Sequence, residues 1–207
     1  MILTRPEGRN ERLAQSLRDL GLEVGIVPLI EIEPIESGSI DVGGYSWVIV
    51  TSATAARLLR ARMLGTPRRV AAIGRATAEA WGAKTDLIPS VATQEGLIAE
   101  LPRPPGRVLF AGAENARRLL VEALDADFVA LYRTKERRPS EPLRGDLVVL
   151  ASPSAARAFA ALELQIPTVT IGPETSMAAE NAGIRVIREA ATQSTAGLVD
   201  AVLRATR

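Results

Sequence analysis

Apolar residues along this chain fall into short runs of strand length, each followed by a stretch where they recur every third or fourth position. The first run covers residues 2–4, and the spacing after it predicts a helix over 7–20, with Leu13, Leu17 and Leu20 on one face and Gly21 as its stop. Residues 24–27, 47–51, 70–73, 85–88, 108–110 and 128–131 read as further strands, with helices near 53–64, 75–82, 94–101 and 114–124 between them. The last third keeps the rhythm, with strands at 147–151, 168–171 and 185–187 and helices at 153–162, 174–182 and 195–205. Short apolar strands alternating with helices predict parallel sheets covered on both faces.

The pattern is written twice, about 100 residues apart. Val48-Ile49-Val50-Thr51-Ser52 returns as Val148-Val149-Leu150-Ala151-Ser152, and Ile73-Gly74 with Thr77 returns as Ile171-Gly172 with Thr175. Thr93 with Gly96-Leu97 is echoed by Ser194 with Gly197-Leu198, and Ile2-Leu3 more faintly by Val108-Leu109. Two similar α/β halves follow. Pro102–Gly106 lies midway, but a proline-rich turn also joins a helix to the next strand of one sheet. Residues 29–35 and 131–137 alternate instead, placing Glu31 and Glu33 on one face of the first and Arg133, Lys135 and Arg137 on one face of the second. Opposite charges on neighbouring strands attract by about 0.2–1 kcal/mol per pair. The two segments are therefore expected to form a two-stranded antiparallel linker. The expected domains are 1–34 plus 138–207, and 35–137, each a flavodoxin-like sheet of five strands, with a ligand held between them.

In open parallel sheets, ligands bind beyond the carboxyl ends of the strands, where helix N-termini aim backbone amides outward. The distinctive small residues lie there. Arg5 follows the first strand; Thr51-Ser52 and Ser152-Pro153-Ser154 open helices; Gly74 and Gly172 offer close backbone approach, with Thr77 and Thr175 one turn on; Thr93 and Ser194 begin the next helices. Each taken singly is also an ordinary helix cap. The joint pattern, kept in both halves, suits an anionic ligand, because every helix start carries partial positive charge. Neither a GxGxxG nor a phosphate-loop lysine motif occurs, so nothing marks a nucleotide.

Composition narrows the chemistry. The 207 residues include neither cysteine nor histidine, which excludes disulfides, thiolate or imidazole catalysis and metal sites built on those ligands. Net charge is +1 with no separate basic block, so no nucleic-acid surface is expected. No apolar stretch approaches 18 residues and Met1 leads straight into a strand, so a cytoplasmic protein without a membrane span is expected. Lys84 and Lys135 are the only lysines, and the remaining cations are arginines, whose forked guanidiniums suit carboxylates. Tyr132, one of two tyrosines, falls in the expected linker and is the neutral acid available there for proton donation.

Leu3-Thr4-Arg5-Pro6 with its helix, Thr51-Ser52 with Ala55-Ala56, Ile73-Gly74 with Thr77-Ala78, Tyr132-Arg133-Thr134, Ser152-Pro153-Ser154, Ile171-Gly172 with Thr175 and the closing 192–198 stretch together resemble the uroporphyrinogen-III synthase family, in order along the whole chain. The resemblance implies a cofactor-free, monomeric, cyclising hydro-lyase of tetrapyrrole (haem, sirohaem, corrinoid, chlorophyll) biosynthesis. Its substrate would be hydroxymethylbilane, a linear tetrapyrrole with eight carboxylates, closed with loss of water and inversion of ring D. It also implies transient contact with the preceding enzyme, hydroxymethylbilane synthase. By position, Tyr132 and Thr77 match residues tied to activity in that family. Ser52, Gly74, Arg117, Ser152, Ser154, Gly172, Thr175 and Ser194 match positions expected to bind substrate, and Arg5, Thr51 and Thr93, from their place at strand ends and helix starts, are expected to bind it with them. The alternative is a non-catalytic tetrapyrrole- or anion-binding module on the same fold.

Overall fold

The computed structural model describes residues 1–36 and 38–206. In chain order the elements are β1 (Ile2–Leu3), α1 (Glu11–Arg18), β2 (Gly25–Ile26), β3 (Ile30–Pro34), β4 (Ile40–Asp41), β5 (Trp47–Val50), α2 (Ala53–Arg62), β6 (Met63–Leu64), β7 (Val70–Ala72), α3 (Arg75–Trp81), α4 (Gln94–Glu100), β8 (Val108–Ala113), α5 (Leu119–Leu124) and β9 (Asp127–Glu136). There follow β10 (Val148–Leu150), α6 (Pro153–Ala160), β11 (Thr168–Thr170), α7 (Pro173–Asn181), β12 (Val186–Glu189) and α8 (Thr195–Ala205). They form two compact units, Met1–Ile32 with Lys135–Arg207, and Glu33–Thr134.

The first unit is a five-stranded sheet in the order β12-β11-β10-β1-β2, every neighbouring pair parallel. Counted within the unit, that is the flavodoxin-like order 2-1-3-4-5. Strand alternation sorts its core. Leu3, Val149 and Val169 join Leu13 and Leu17 of α1 and Leu198 and Val202 of α8 on one face. Ile2, Val148 and Leu150 join Phe159 of α6 and Ala179 of α7 on the other.

The second unit is ordered β3-β9-β8-β5-β7, parallel from β9 through β7. Trp47, Ile49, Val108 and Phe110 pack with Leu97 of α4 and Leu120 and Leu124 of α5. Matched through the sequence repeat, β5 and β7 stand for β10 and β11, and β8 and β9 for β1 and β2. The chain therefore enters this unit at its third strand, and the repeat is a permuted one. The strand expected at 85–88 shrinks to a single bridge between Ala71 and Leu87. The Asp86 carboxylate takes the Val70 amide at 2.9 Å, and Pro89 has no amide with which to extend a ladder.

The strand expected at 128–131 and the segment 131–137 merge into the ten-residue β9. Ile35 N–H donates to Leu131 O (2.9 Å) and Arg137 N–H to Leu29 O (2.8 Å), a pairing whose numbers run in opposite senses, so β3 and β9 are antiparallel. Arg133 faces Glu33 at 3.9 Å and Glu114 at 3.3 Å, whereas Arg137 pairs with Glu7 at 3.3 Å rather than with a glutamate of β3. Two helices start late. α1 begins at Glu11 because residues 5–10 form a turn through Gly8, at φ +71°, and α5 begins at Leu119, after a turn in which Ala116 N–H donates to Ala113 O.

Candidate functional site

Four helix starts are capped by the hydroxyls that the sequence singled out. Ser52 accepts from Ala55 N–H at 3.0 Å, Thr93 from Gly96 N–H at 3.0 Å, Ser152 from Ala155 N–H at 3.1 Å and Ser194 from Gly197 N–H at 3.0 Å. Two more helices, α3 and α7, start at Gly74 and Gly172 with no side-chain cap. Each half thus alternates capped and uncapped helix starts along its strand ends. Capping and lining a rim are compatible, since a cap uses one lone pair of the hydroxyl and leaves its proton free.

In the second unit Thr51 follows β5 and is half-buried beside Ser52. A register shift between Gly112 and Ala113 sets Tyr132, not Leu131, opposite Ala113. The Tyr132 ring is 8% exposed, and its hydroxyl lies 3.0 Å from Ser52 Oγ. Thr77 sits in the first turn of α3, 5% exposed, its amide bonded to Gly74 O and its side chain without a hydrogen-bond partner among the described residues. A side chain at Gly74 would meet Ala92 Cβ at an ordinary 3.6 Å, so close packing against protein does not require that glycine.

The first unit repeats the design. Thr175, 2% exposed, occupies the matching turn of α7, with its amide on Gly172 O and no side-chain partner among the described residues. Gln193 lies over Gly172, 2.8 Å from where a Cβ would stand. Ser154 accepts from Arg157 at 3.4 Å. Arg5, half-buried, has no carboxylate partner among the described residues; burial first and Arg9 second push its pKa below the ordinary guanidinium value. An incoming carboxylate would relieve both effects.

Arg117, expected to bind substrate, is engaged by a neighbouring carboxylate. Its guanidinium grips Glu95 through two bonds of 2.8 and 3.1 Å, holding the Glu95 carboxyl below its usual range, while Gln94 Nε2 donates to Arg117 O at 3.3 Å. Its charge is answered within the protein. A groove of about 300 Å³ in the first unit is lined by Glu7, Gly8, Glu11, Ile26, Pro28 and Arg137. With Glu7 already on Arg137, its carboxylates make it a poor host for an anionic ligand.

Several residues escaped the sequence reading. Asn10 is fully buried and its amide holds the turn after β1 by donating to Arg5 O (2.9 Å) and Pro6 O (3.3 Å). Ser176 binds Thr170 at 2.7 Å and donates to Glu189, fixing the start of α7 against β11 and β12. Gly96 and Gly197 are the glycines that packing demands: a Cβ would stand 2.1 Å from Val91 O in one half and 2.1 Å from Thr192 O in the other. Their recurrence in the repeat was the available signal.

Residues 11–200 match the profile of a family described as uroporphyrinogen-III synthase HemD. An Archaeoglobus fulgidus relative is 32% identical over 210 residues, covering 89% of this chain and 90% of its own length. The uroporphyrinogen-III synthase of Synechococcus elongatus is 26% identical over 246 residues, covering 98% of this chain and 93% of its own. The crystal structure of uroporphyrinogen-III synthetase from Helicobacter pylori shares the fold, with a TM-score of 0.65 at 17% identity over 100% of this chain and 98% of that one. No helix among the described residues is long and apolar enough to cross a membrane.

Proposed function

The chain belongs to the uroporphyrinogen-III synthase family, and from that premise we propose how its residues carry the family's reaction. The activity is closure of hydroxymethylbilane to uroporphyrinogen III in tetrapyrrole biosynthesis, a lyase reaction that loses water and inverts ring D. The pyrrole nitrogen's own electrons expel the hydroxymethyl oxygen, leaving an electrophilic azafulvene. Unaided closure gives the symmetrical isomer I. The enzyme directs attack to the substituted carbon of ring D, through a spirocyclic intermediate that opens and recloses, and this is chiefly a matter of orientation.

Tyr132 is the proton donor to the departing hydroxyl. The observation that carries this assignment is its nearly buried ring with the hydroxyl 3.0 Å from a helix-capping serine. A buried phenol held by a polar partner is pre-organised, so little reorganisation attends proton transfer. The phenol recovers its proton when the last ring carbon loses one on rearomatising. Thr77 and Thr175, with unused hydroxyls, orient the substrate beside the uncapped starts of α3 and α7. Its carboxylates go to Arg5, to the amides near Gly74 and Gly172, and to the hydroxyls around Thr51, Thr93, Ser152, Ser154 and Ser194. Arg117 contributes by holding the turn before α5 against α4.

The domain limits we propose are 1–34 with 138–207 and 35–137, with β3 and β9 as the two-stranded connection; the division of compact units after Ile32 and Thr134 supports this. The protein works as a cytoplasmic monomer that takes its substrate from hydroxymethylbilane synthase in a transient contact. The support is chemical, since the free bilane closes unaided to the wrong isomer.

Product analysis tests the reading. Hydroxymethylbilane is generated in place, the protein added, and the oxidised uroporphyrins separated; isomer III is expected, and isomer I alone at the spontaneous rate would leave only a binding protein. Tyr132→Phe is expected to slow turnover about 10²-fold or more while product binding persists. An unchanged rate would remove Tyr132 from the mechanism.

A further inference from the structure

Ser52 Oγ makes two contacts at once, accepting the Ala55 amide at the start of the ten-residue α2 and meeting the Tyr132 hydroxyl, each at 3.0 Å. We propose that Ser52 is a positioning residue for the proton transfer, accepting the Tyr132 hydroxyl at rest and donating to its phenolate once the proton has gone. The inference rests on Tyr132 being the acid.

The chemistry asks for such a partner. As the C–O bond of the hydroxymethyl group breaks, its electrons stay on oxygen, which takes the Tyr132 proton and leaves as water. The phenolate left behind needs a donor where the phenol needed an acceptor. A serine hydroxyl changes role by rotating, whereas a carboxylate only accepts. The Ala55 amide draws on the same oxygen, which polarises the serine O–H toward the phenolate and links it to the positive end of α2.

The duplicated half supplies an internal comparison. Ser152 caps α6 in the same way, with Ala155 N–H at 3.1 Å, but its hydroxyl has no acceptor among the described residues. The only other tyrosine, Tyr45, bonds Asp127 at 2.9 Å. The repeat thus keeps the cap twice and adds a tyrosine once. One serine keeps its proton free of any acceptor among the described residues; the other is engaged with the acid.

Capping and relay are separated by substitution. Aspartate caps a helix as well as serine does, so Ser52→Asp keeps α2 and the resting acceptor while removing the donor. Its unfolding midpoint should match that of the unaltered protein, and its kcat should fall about 10- to 100-fold, the worth of one hydrogen bond to a charged oxygen. Ser52→Thr, which retains the hydroxyl, should recover most of that loss. In a Tyr132→Phe background Ser52→Asp should slow turnover no further. If Tyr132→Phe is slow but Ser52→Asp keeps full kcat, or slows the phenylalanine variant as much as it slows the parent, the relay is overturned and the acid assignment stands. If Tyr132→Phe itself runs at the full rate, both fall.

Discussion

Replacing Gly96 with alanine sets local preference against packing, and the two predict opposite signs. Gly96 is in the first turn of α4, where alanine gains up to about 1 kcal/mol over glycine in helix propensity. The added Cβ, however, would stand 2.1 Å from Val91 O, 3.2 Å from Val91 C and 3.4 Å from Pro89 Cβ, and two of these atoms are backbone. The turn before α4 must then move by more than an ångström to restore normal contact. That motion strains Thr93 N–H on Val91 O (2.8 Å) and Gly96 N–H on Thr93 Oγ1 (3.0 Å), each worth about 1 kcal/mol. Overpacking adds about 1–3 kcal/mol, so the net loss is about 2–4 kcal/mol after the propensity gain is deducted. Both tryptophans, Trp47 and Trp81, are buried in the same unit, so intrinsic fluorescence reports its unfolding. With a urea slope of about 1–3 kcal/mol per molar, the midpoint should fall by about 0.7–4 M. An unchanged or raised midpoint would show that propensity outweighs the collision and refute the reasoning.

Two further expectations concern charge. Arg5→Met removes a half-buried cation that has no carboxylate partner among the described residues, so stability measured by urea should rise while KM for hydroxymethylbilane rises too; lower stability with unchanged KM would contradict this assignment. Tyr45 has its phenol pKa raised, first by desolvation and then by its bond to Asp127, whose own carboxyl is lowered by Tyr45 and then Arg107. A raised phenol pKa stabilises the fold fully below the unfolded value near pH 10 and loses that contribution as pH climbs through the folded value. Tyr45→Phe should therefore lose less stability than the unaltered protein between neutral pH and the region above pH 10, followed by urea midpoints; equal losses would refute the linkage. Asp127 works in the other direction, adding stability above the ordinary carboxylate range that disappears as pH falls.

The sequence by itself determined what is local. Hydroxyls at Ser52, Thr93, Ser152 and Ser194 cap the helices that begin beside them because a cap reaches only three residues along the chain. The parallel α/β character and the two halves were equally legible, since strand alternation and helix spacing are written in neighbouring positions. Boundaries were less so: the turn at 5–10 delays α1, and the strand at 85–88 yields to an aspartate side chain and a proline. Tertiary structure alone decided the rest. It set the permuted entry into the second sheet, the capture of Arg117 by Glu95, and the one-residue shift that brings Tyr132 to Ser52 across 80 positions of sequence. That meeting depends on how β9 slides against β8, and register is a property of two strands that neither one's sequence carries alone.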